Sequence, residues 1–273
     1  MNDVSKGIWH MGARRRLLSA VVRFLPSSVL ITVIAWIHRR VEPELPIAIK
    51  KCSAKGVVLD VGAWYGPYSY WLSKKSLWVH AFEPNPEVAD TLMALKRKNV
   101  TVHPTAVSNI NGIANLYLSG SGKGTEAQSS LIENSDCDNQ LSIKVPTLSI
   151  DSLEIKNVEL IKIDVEGHEE SVVRGAIKTI CKYHPVLLVE LEDRYADIAS
   201  TISFLENLGY SGSILINKKW RLLSSFNLKK WQQQFHENSK IRGYLSAFVF
   251  GYGYVNNVFF VHEKSPWTPF GSD

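Results

Sequence analysis

From residue 56 onward, short apolar runs alternate with helical stretches, a pattern that predicts strand–helix units around a mostly parallel sheet. The pattern predicts five buried strands, at residues 56–61 (GVVLDV), 78–84 (WVHAFEP), 99–107 (NVTVHPTAV), 159–167 (ELIKIDVEG) and 186–192 (VLLVELE). Further strand segments are expected at residues 114–119, 143–150, 211–216 and 255–263.

Helical spacing of apolar residues marks the segments between these strands. Asn85 is predicted to cap one helix, with Pro86 in its first turn. Helices are predicted at residues 68–74, 87–99, 169–180 and 196–208. The basic and aromatic segment 218–235 shows no clear strand alternation, so we interpret it as an insertion that shapes an acceptor site, where Trp220 and Trp231 stack on sugar rings or pack in the core.

The N-terminal arm differs in charge from the rest of the chain. Residues 1–41 carry a net charge of +6 and the remaining residues −1, within a total of +5. The longest apolar run, Val29 to Ile37, is too short to span a bilayer, and it ends at basic residues rather than at a signal-peptide cleavage site. Two alternatives remain: helices that cover the domain or its entrance, and an interfacial anchor on an anionic membrane.

Length and composition indicate one domain, residues 51–273, preceded by a helical arm, residues 1–50. Cys52, Cys137 and Cys181 are widely spaced and form no CxxC pair, so neither a disulfide framework nor a zinc site is predicted. We expect a cytoplasmic protein, peripheral to the inner face of the membrane if the arm is an anchor. The near-neutral body disfavours a nucleic-acid groove, and nothing in the sequence indicates an oligomeric state.

The glycine loop in VLDVGAWYG (58–66) carries an acid where a dinucleotide-binding loop has its first glycine. Asp60 at that position would repel a pyrophosphate but attract a ligand with an amine and a sulfonium group. S-adenosylmethionine is such a ligand, and Gly62 and Gly66 would allow the backbone to approach it closely.

A second carboxylate supports this interpretation. Glu83 lies at the end of the second strand, 21 residues after Gly62, where an acid can accept hydrogen bonds from ribose hydroxyl groups. The alternative is an incidental surface acid after an ordinary strand. Together the glycine loop and Glu83 favour a site for S-adenosylmethionine.

The chain resembles the FkbM-type S-adenosylmethionine-dependent methyltransferases over residues 56–193. The resemblance rests on seven blocks in unbroken order: LDVGAWYG, AFEPNP, HPTAVSN, SSL, VPTLSIDSL, LIKIDVEGHE and PVLLVELE. It implies a Rossmann-like class I methyltransferase fold, an α/β fold whose mostly parallel sheet has seven strands, helices on both faces and a reversed terminal hairpin.

The resemblance also implies roles for individual residues. The methionyl part of S-adenosylmethionine is expected at Asp60, Gly62, Ala63 and Gly66, its ribose at Glu83, and its adenine at the turn containing Ala106. Asp164 is expected beside cofactor and acceptor. Trp64 stands where the family often has asparagine, so the hydrogen bonds of that asparagine are not expected here.

Methyl transfer to a hydroxyl group needs a base or a metal near the acceptor. The strand ends offer Asp164, His168 and Glu190 as catalytic residues, and His168 has the ordinary pKa best suited to neutral pH. The alternative for His168 is a structural hydrogen bond at a helix start. Neighbouring acids, Glu166 and Glu169, admit a divalent cation such as magnesium, or they simply stabilise a helix N-terminus.

The sequence therefore predicts an O-methyltransferase that acts on a sugar or glycan, lipid-linked if the arm binds membrane. The alternatives are a methyltransferase of polyketides or other small natural products, one of nucleic acid, and a non-catalytic membrane-associated protein that kept the fold.

Overall fold

The computed structural model describes residues 26–118, 129–132, 141–242, 254–265 and 267, with the side chains of 236–242 excluded. The arm residues 1–25, Cys137 and most of the polar stretch 119–140 therefore lie outside the described residues. The helices are α1 (Ser27–Val41), α2 (Glu44–Lys51), α3 (Pro67–Leu72), α4 (Pro86–Met93), α5 (Glu169–Arg174), α6 (Ile177–Tyr183), α7 (Ile198–Asn207) and α8 (Leu228–Arg242).

Most strands lie in one large sheet. Those of the large sheet are β1 (Val57–Val61), β2 (Trp78–Phe82), β3 (Val100–His103), β7 (Val158–Ile163), β8 (Val186–Glu190), β9 (Tyr210–Ile216), β10 (Lys219–Leu222) and β11 (Asn257–His262). A small sheet contains β4 (Ala106–Val107), β5 (Gly112–Leu118) and β6 (Leu141–Leu148).

The strand order of the large sheet is β3-β2-β1-β7-β8-β11-β9-β10. The five strands β3, β2, β1, β7 and β8 are parallel, whereas β11 runs antiparallel between β8 and β9. The expected sheet with a reversed terminal hairpin is thus present, but it has eight strands instead of seven. The added strand, β10, pairs antiparallel with β9 at the sheet edge.

Both faces of the sheet are covered by helices. Along β1, Val57, Leu59 and Val61 pack in the core beneath α5, α6 and α7. The alternate residue, Val58, packs on the other face against α1, α2 and α3. Alternation between two buried faces explains why these strands read as continuous apolar runs.

Three predicted elements are divided or shortened. The single strand predicted at 99–107 is β3 and β4, which belong to different sheets, because Pro104 separates them and lacks a backbone N–H. The helix predicted at 87–99 ends at Met93. The helix predicted at 169–180 is interrupted at Gly175, where an added Cβ would lie 2.0 Å from the Ser108 carbonyl oxygen.

Helix α1, the first described helix of the N-terminal arm, packs against α3. Ile31 and Ala35 are fully buried, and the indole N–H of Trp71 donates to the Ala35 carbonyl oxygen at 2.8 Å. Leu30 belongs to a small apolar cluster that also contains Tyr65. No helix in the described ranges combines the length and the apolar character needed to cross a bilayer.

The segment 218–235 is not an irregular insertion but β10, a short 3₁₀ turn and the start of α8. Trp220 packs against Phe259 and Trp267, and Trp231 packs against Phe226. Neither tryptophan lines the cavity described below, so the prediction that this segment shapes an acceptor site finds no support there. Both are packing residues, the alternative that their apolar rings favour.

Candidate active site

A cavity of about 310 Å³ lies at the carboxyl ends of β1, β2, β7 and β8. In open parallel sheets, ligands bind at the carboxyl ends of the strands, at the point where the strand order reverses. All but one of the candidate site residues predicted from the sequence line it: Asp60, Gly62, Ala63, Glu83, Ala106, Asp164, His168 and Glu190. The exception is Gly66.

The glycine loop after β1 forms the floor of the cavity. Gly62 has a φ of +76°, and a Cβ there would lie 1.7 Å from the Asp164 carbonyl oxygen, so only glycine fits. The N–H groups of Gly62 and Ala63 both donate to the Phe82 carbonyl oxygen. These two N–H groups are therefore not free to donate to a ligand. What the loop offers a ligand is close approach to its backbone. Gly66, with a φ of +73°, is the N-cap residue of α3, which follows the loop.

Asp60 is 1% exposed. Its Oδ2 accepts a hydrogen bond of 2.6 Å from the Ser69 hydroxyl group, which fixes the carboxylate. Burial raises the pKa of Asp60, while Ser69 and the ammonium group of Lys162 act in the opposite direction. A cation bound next to Asp60 would stabilise the ionised carboxylate further.

Glu83 follows β2 and is also buried. Its two oxygens accept the backbone N–H groups of Trp64 and Asn85, each at 2.9 Å. Burial raises the pKa of Glu83 to about 7, although both hydrogen bonds lower it. Each oxygen keeps a second lone pair, so Glu83 can both position the loop and accept hydrogen bonds from a ligand. The indole N–H of Trp64, another lining residue, has no hydrogen-bond partner among the described residues.

Lys162 lies between two acids, on β7 next to the position of Asp60 on β1. Its Nζ is 2.5 Å from Asp164 Oδ2 and 4.0 Å from Glu190 Oε2. Burial lowers the pKa of Lys162, but Asp164 and Glu190 outweigh burial and raise it overall. Burial and Asp164 raise the pKa of Glu190, whose other oxygen accepts from the Asn256 amide. Lys162 is therefore an ammonium group that holds two carboxylates in place.

The remaining polar residues of the DVEGHEE turn separate into two groups. His168 lines the cavity, its Nε2 lies 2.9 Å from the Ser108 hydroxyl oxygen, and burial lowers its pKa. Glu166 also lines the cavity, and burial raises its pKa to about 8. Glu169 instead accepts the Gly167 N–H at the start of α5, as expected for an acid that stabilises a helix N-terminus.

Two further parts of the chain close the cavity. The small sheet and the segment 129–132 form one wall, with Leu116, Ser129 and Leu131 beside Ala106. The other wall contains His38 of helix α1 and Glu42, which follows this helix. The distance between His38 Nδ1 and Glu42 Oε1 is 2.5 Å. The arm thus supplies side chains to the candidate site.

The cavity is strongly acidic. Among its described lining residues, one lysine, Lys162, opposes six carboxylates: Glu42, Asp60, Glu83, Asp164, Glu166 and Glu190. No group of three metal-binding side chains converges within the described ranges. Because the Lys162 ammonium group already lies between Asp164 and Glu190, the magnesium ion that the sequence admitted as one alternative finds no support.

Sequence reasoning missed several lining residues, among them His38, Glu42 and Lys162. Lys162 had a signal, because a lysine inside an apolar strand two positions before Asp164 must share its face. His38 and Glu42 had none, because their position depends on how α1 docks against α3.

Comparison with known proteins identifies one family. The family model described as the methyltransferase FkbM domain matches residues 60–211, more than half of the chain. No curated protein matches the chain.

Several solved structures are similar over part of the chain. The methyltransferase FkbM from Methylobacillus flagellatus is 18% identical, with a TM-score of 0.44, over 62% of this chain and 43% of that one. The precorrin-6y C5,15-methyltransferase from Geobacter metallireducens is 13% identical, with a TM-score of 0.40, over 65% and 81%. The Streptococcus mutans protein SMU.1697c, in complex with SAH, is 13% identical, with a TM-score of 0.41, over 66% and 93%.

Proposed function

The chain belongs to the FkbM methyltransferase family and has its Rossmann-like class I fold, and we propose that it transfers a methyl group from S-adenosylmethionine to a hydroxyl group of a sugar or glycan. The observation that supports this proposal most is the acidic cavity at the strand ends, where six wholly or partly buried acids outnumber the one lysine among the described lining residues. Burying ionised carboxylates is costly unless a cation pairs with them. A ligand with a sulfonium and an amine supplies that positive charge.

The residues present fit S-adenosylmethionine. Asp60 would hold the amine of the methionyl part, next to the close backbone approach at Gly62 and Ala63. Glu83 would accept the ribose hydroxyl groups through its remaining lone pairs. Ala106, on the apolar side with Leu116, would face the adenine. When bound, S-adenosylmethionine supplies the electrophilic methyl group.

Glu190 is the residue that we assign as base. Its pKa is raised by burial and by Asp164, so its carboxylate accepts a proton more readily than an ordinary one. Lys162 is a positioning residue, because its contact with Asp164 keeps both acids on one side of the cavity. His168 fits the role less well, since Ser108 occupies its Nε2. General-base assistance of this kind contributes about 10²- to 10⁴-fold.

The charge of the cavity also bears on the acceptor. A phosphate group would find one lysine and six acids among the described lining residues, a composition that disfavours nucleic acid as the acceptor. A neutral hydroxyl compound is not repelled, and sugars and glycans present many such groups. A polyketide or another small natural product with a hydroxyl group is the second candidate, because Leu116 and Leu131 add apolar surface to the wall.

Calorimetry with S-adenosylmethionine tests the proposal. We expect one site per chain and loss of binding in the double variant Asp60→Asn/Glu83→Gln. The double variant Asp90→Asn/Glu206→Gln, at two exposed acids outside the cavity, is the matched control and should bind normally. If the unaltered protein does not bind S-adenosylmethionine, the proposed function is wrong.

The acceptor class is tested by mass spectrometry of reaction products. The protein is incubated with S-adenosylmethionine carrying a deuterated methyl group and with panels of sugars, glycans, polyketides and RNA. Label on a sugar or glycan oxygen supports the proposal. Label only on a polyketide, on RNA or on nitrogen would contradict the acceptor class while leaving cofactor binding intact.

A further inference from the structure

Helix α1 is apolar around most of its circumference, and the domain covers only one side of it. Ile31 and Ala35 face the domain and are fully buried. The opposite side, which we call the exposed face of α1, contains Val29, Val33, Trp36, Ile37 and Arg40 at helical spacing. Its four apolar side chains are each 42–49% exposed. An exposed apolar face of this kind is typical of an interaction surface.

Cations surround the C-terminal part of this face. The Arg39 guanidinium group lies 5.9 Å from the Trp36 ring centre and 4.2 Å from that of Trp71. The Lys74 ammonium group also lies over the Trp71 ring, 4.2 Å from the ring centre. None of Arg39, Arg40 and Lys74 forms an ion pair with a carboxylate among the described residues. These groups are therefore available to an anionic partner.

We propose that the exposed face of α1 binds the surface of an anionic lipid bilayer. Half-exposed aliphatic residues with a tryptophan and flanking arginines are the composition of helices that lie in the membrane interface. The charge of the chain agrees, since residues 1–41 carry +6 and the rest −1. In a contact between the exposed faces of two copies, neither helix would offer a carboxylate to Arg39 and Arg40, because α1 contains no acid, which disfavours that partner.

The contact would bring the candidate active site to the membrane surface. His38 and Glu42 lie at the C-terminal end of α1, and both line the cavity. The same helix therefore offers one face to lipid and borders the cavity with another. If the proposed function holds, this arrangement favours acceptors carried by lipid, such as a glycan on a lipid anchor.

Vesicle flotation of the full chain tests the membrane contact directly. The unaltered protein should float with vesicles of phosphatidylcholine and phosphatidylserine, and float much less with phosphatidylcholine alone. The triple variant Val33→Ser/Trp36→Ser/Ile37→Ser should bind on the order of 100-fold more weakly, because three apolar side chains no longer leave water. Arg39→Gln/Arg40→Gln should lose about fivefold for each arginine.

The matched control is Ile113→Ser/Leu141→Ser, which removes two exposed apolar side chains of the small sheet, 75% and 65% exposed. It should float like the unaltered protein. Undiminished flotation of the triple variant, or no flotation of the unaltered protein, overturns the proposal. A dimer in light scattering that the triple variant converts to a monomer overturns it as well, because the exposed face would then join two copies. None of these readouts depends on methyl transfer.

Discussion

At the scale of single residues, the arrangement of charge around Lys162 decides how the candidate site responds to pH. The ammonium group is buried between Asp164 and Glu190, so it stabilises the ionised form of both acids. In Lys162→Met this stabilisation is absent, and the pKa of Glu190 rises further. We expect the acidic limb of the kcat–pH profile to move to higher pH by about one unit or more.

The control for Lys162 is Lys162→Arg, which keeps the positive charge and should restore most of the original profile. A merely structural lysine would give a different result: Lys162→Met would lower the amount of folded protein but leave the pH profile of the folded fraction unchanged. Measuring kcat over a pH series, with circular dichroism at each pH, separates the two outcomes.

The Glu83 carboxylate has two tasks that one substitution can test. In Glu83→Ala the acceptor of the ribose hydroxyl groups is lost, and so are the hydrogen bonds to the Trp64 and Asn85 N–H groups. Hydrogen bonds to charged groups contribute about 1.5–3 kcal/mol, so affinity for S-adenosylmethionine should fall about 10- to 100-fold in calorimetry. Glu87→Ala, an exposed acid of the following helix, should bind normally. Unchanged affinity of Glu83→Ala would refute the ribose assignment.

A substitution at Gly62 tests how closely the ends of β1 and β7 approach each other. A Cβ there would meet the Asp164 carbonyl oxygen, and the φ of +76° is unfavourable for alanine. Gly62→Ala should cost at least about 2 kcal/mol in urea unfolding and abolish cofactor binding. Gly112→Ala is the matched control, because the nearest atom to its added Cβ is 3.7 Å away. Equal stability of the two variants would show that the glycine loop tolerates a side chain.

At the scale of elements, local signals in the sequence located most strands and helix starts. The predicted Asn85 cap is present, with its side chain accepting the Glu87 N–H at 3.1 Å, because capping depends only on neighbouring residues. The division at Pro104 and the break at Gly175 depend on contacts with distant strands and loops. Apolar periodicity does not report such contacts, so the predicted strand and helix ran through both points.

The docking of α1 gives a prediction at this scale. Ile31 is fully buried against the domain, whereas Val33, two positions later, is 44% exposed. Ile31→Ala should lower the free energy of unfolding by about 2–5 kcal/mol, and Val33→Ala should change it by less than about 0.5 kcal/mol. Urea unfolding followed by circular dichroism measures both. Equal and small effects would mean that α1 does not dock on the domain in solution.

At the scale of the whole molecule, the predictable part of the site is the part that the sheet itself assembles. Asp60, Glu83, Asp164 and Glu190 could be placed together because parallel strands end at one edge. The eighth strand and the wall from α1 could not be predicted in this way. Each depends on how an appended segment packs against a finished sheet. The sequence of α1 shows only that it is apolar, and that of β10 only that it is basic and aromatic.

The excess of buried acids predicts opposite effects of pH on stability and on cofactor binding. Burial raises the pKa of Glu83 to about 7 and that of Glu166 to about 8, above the ordinary value of 4.5. The folded protein without cofactor therefore retains protons that the unfolded chain releases. Stability from these groups is fully present below the ordinary pKa and is lost as pH rises through about 5 to 8.

Affinity for S-adenosylmethionine should rise over the same range, because the ionised carboxylates attract its positive charge. For Glu83 alone the gain is at most about tenfold per pH unit below its raised pKa. Thermal unfolding without cofactor and calorimetry with it, both over a pH series, measure the two slopes. The side chain introduced by Glu83→Gln cannot ionise, so this variant should show a weaker pH dependence of both stability and affinity. If affinity stays constant or falls while the protein remains folded, the cavity does not use its negative charge to hold the methyl donor.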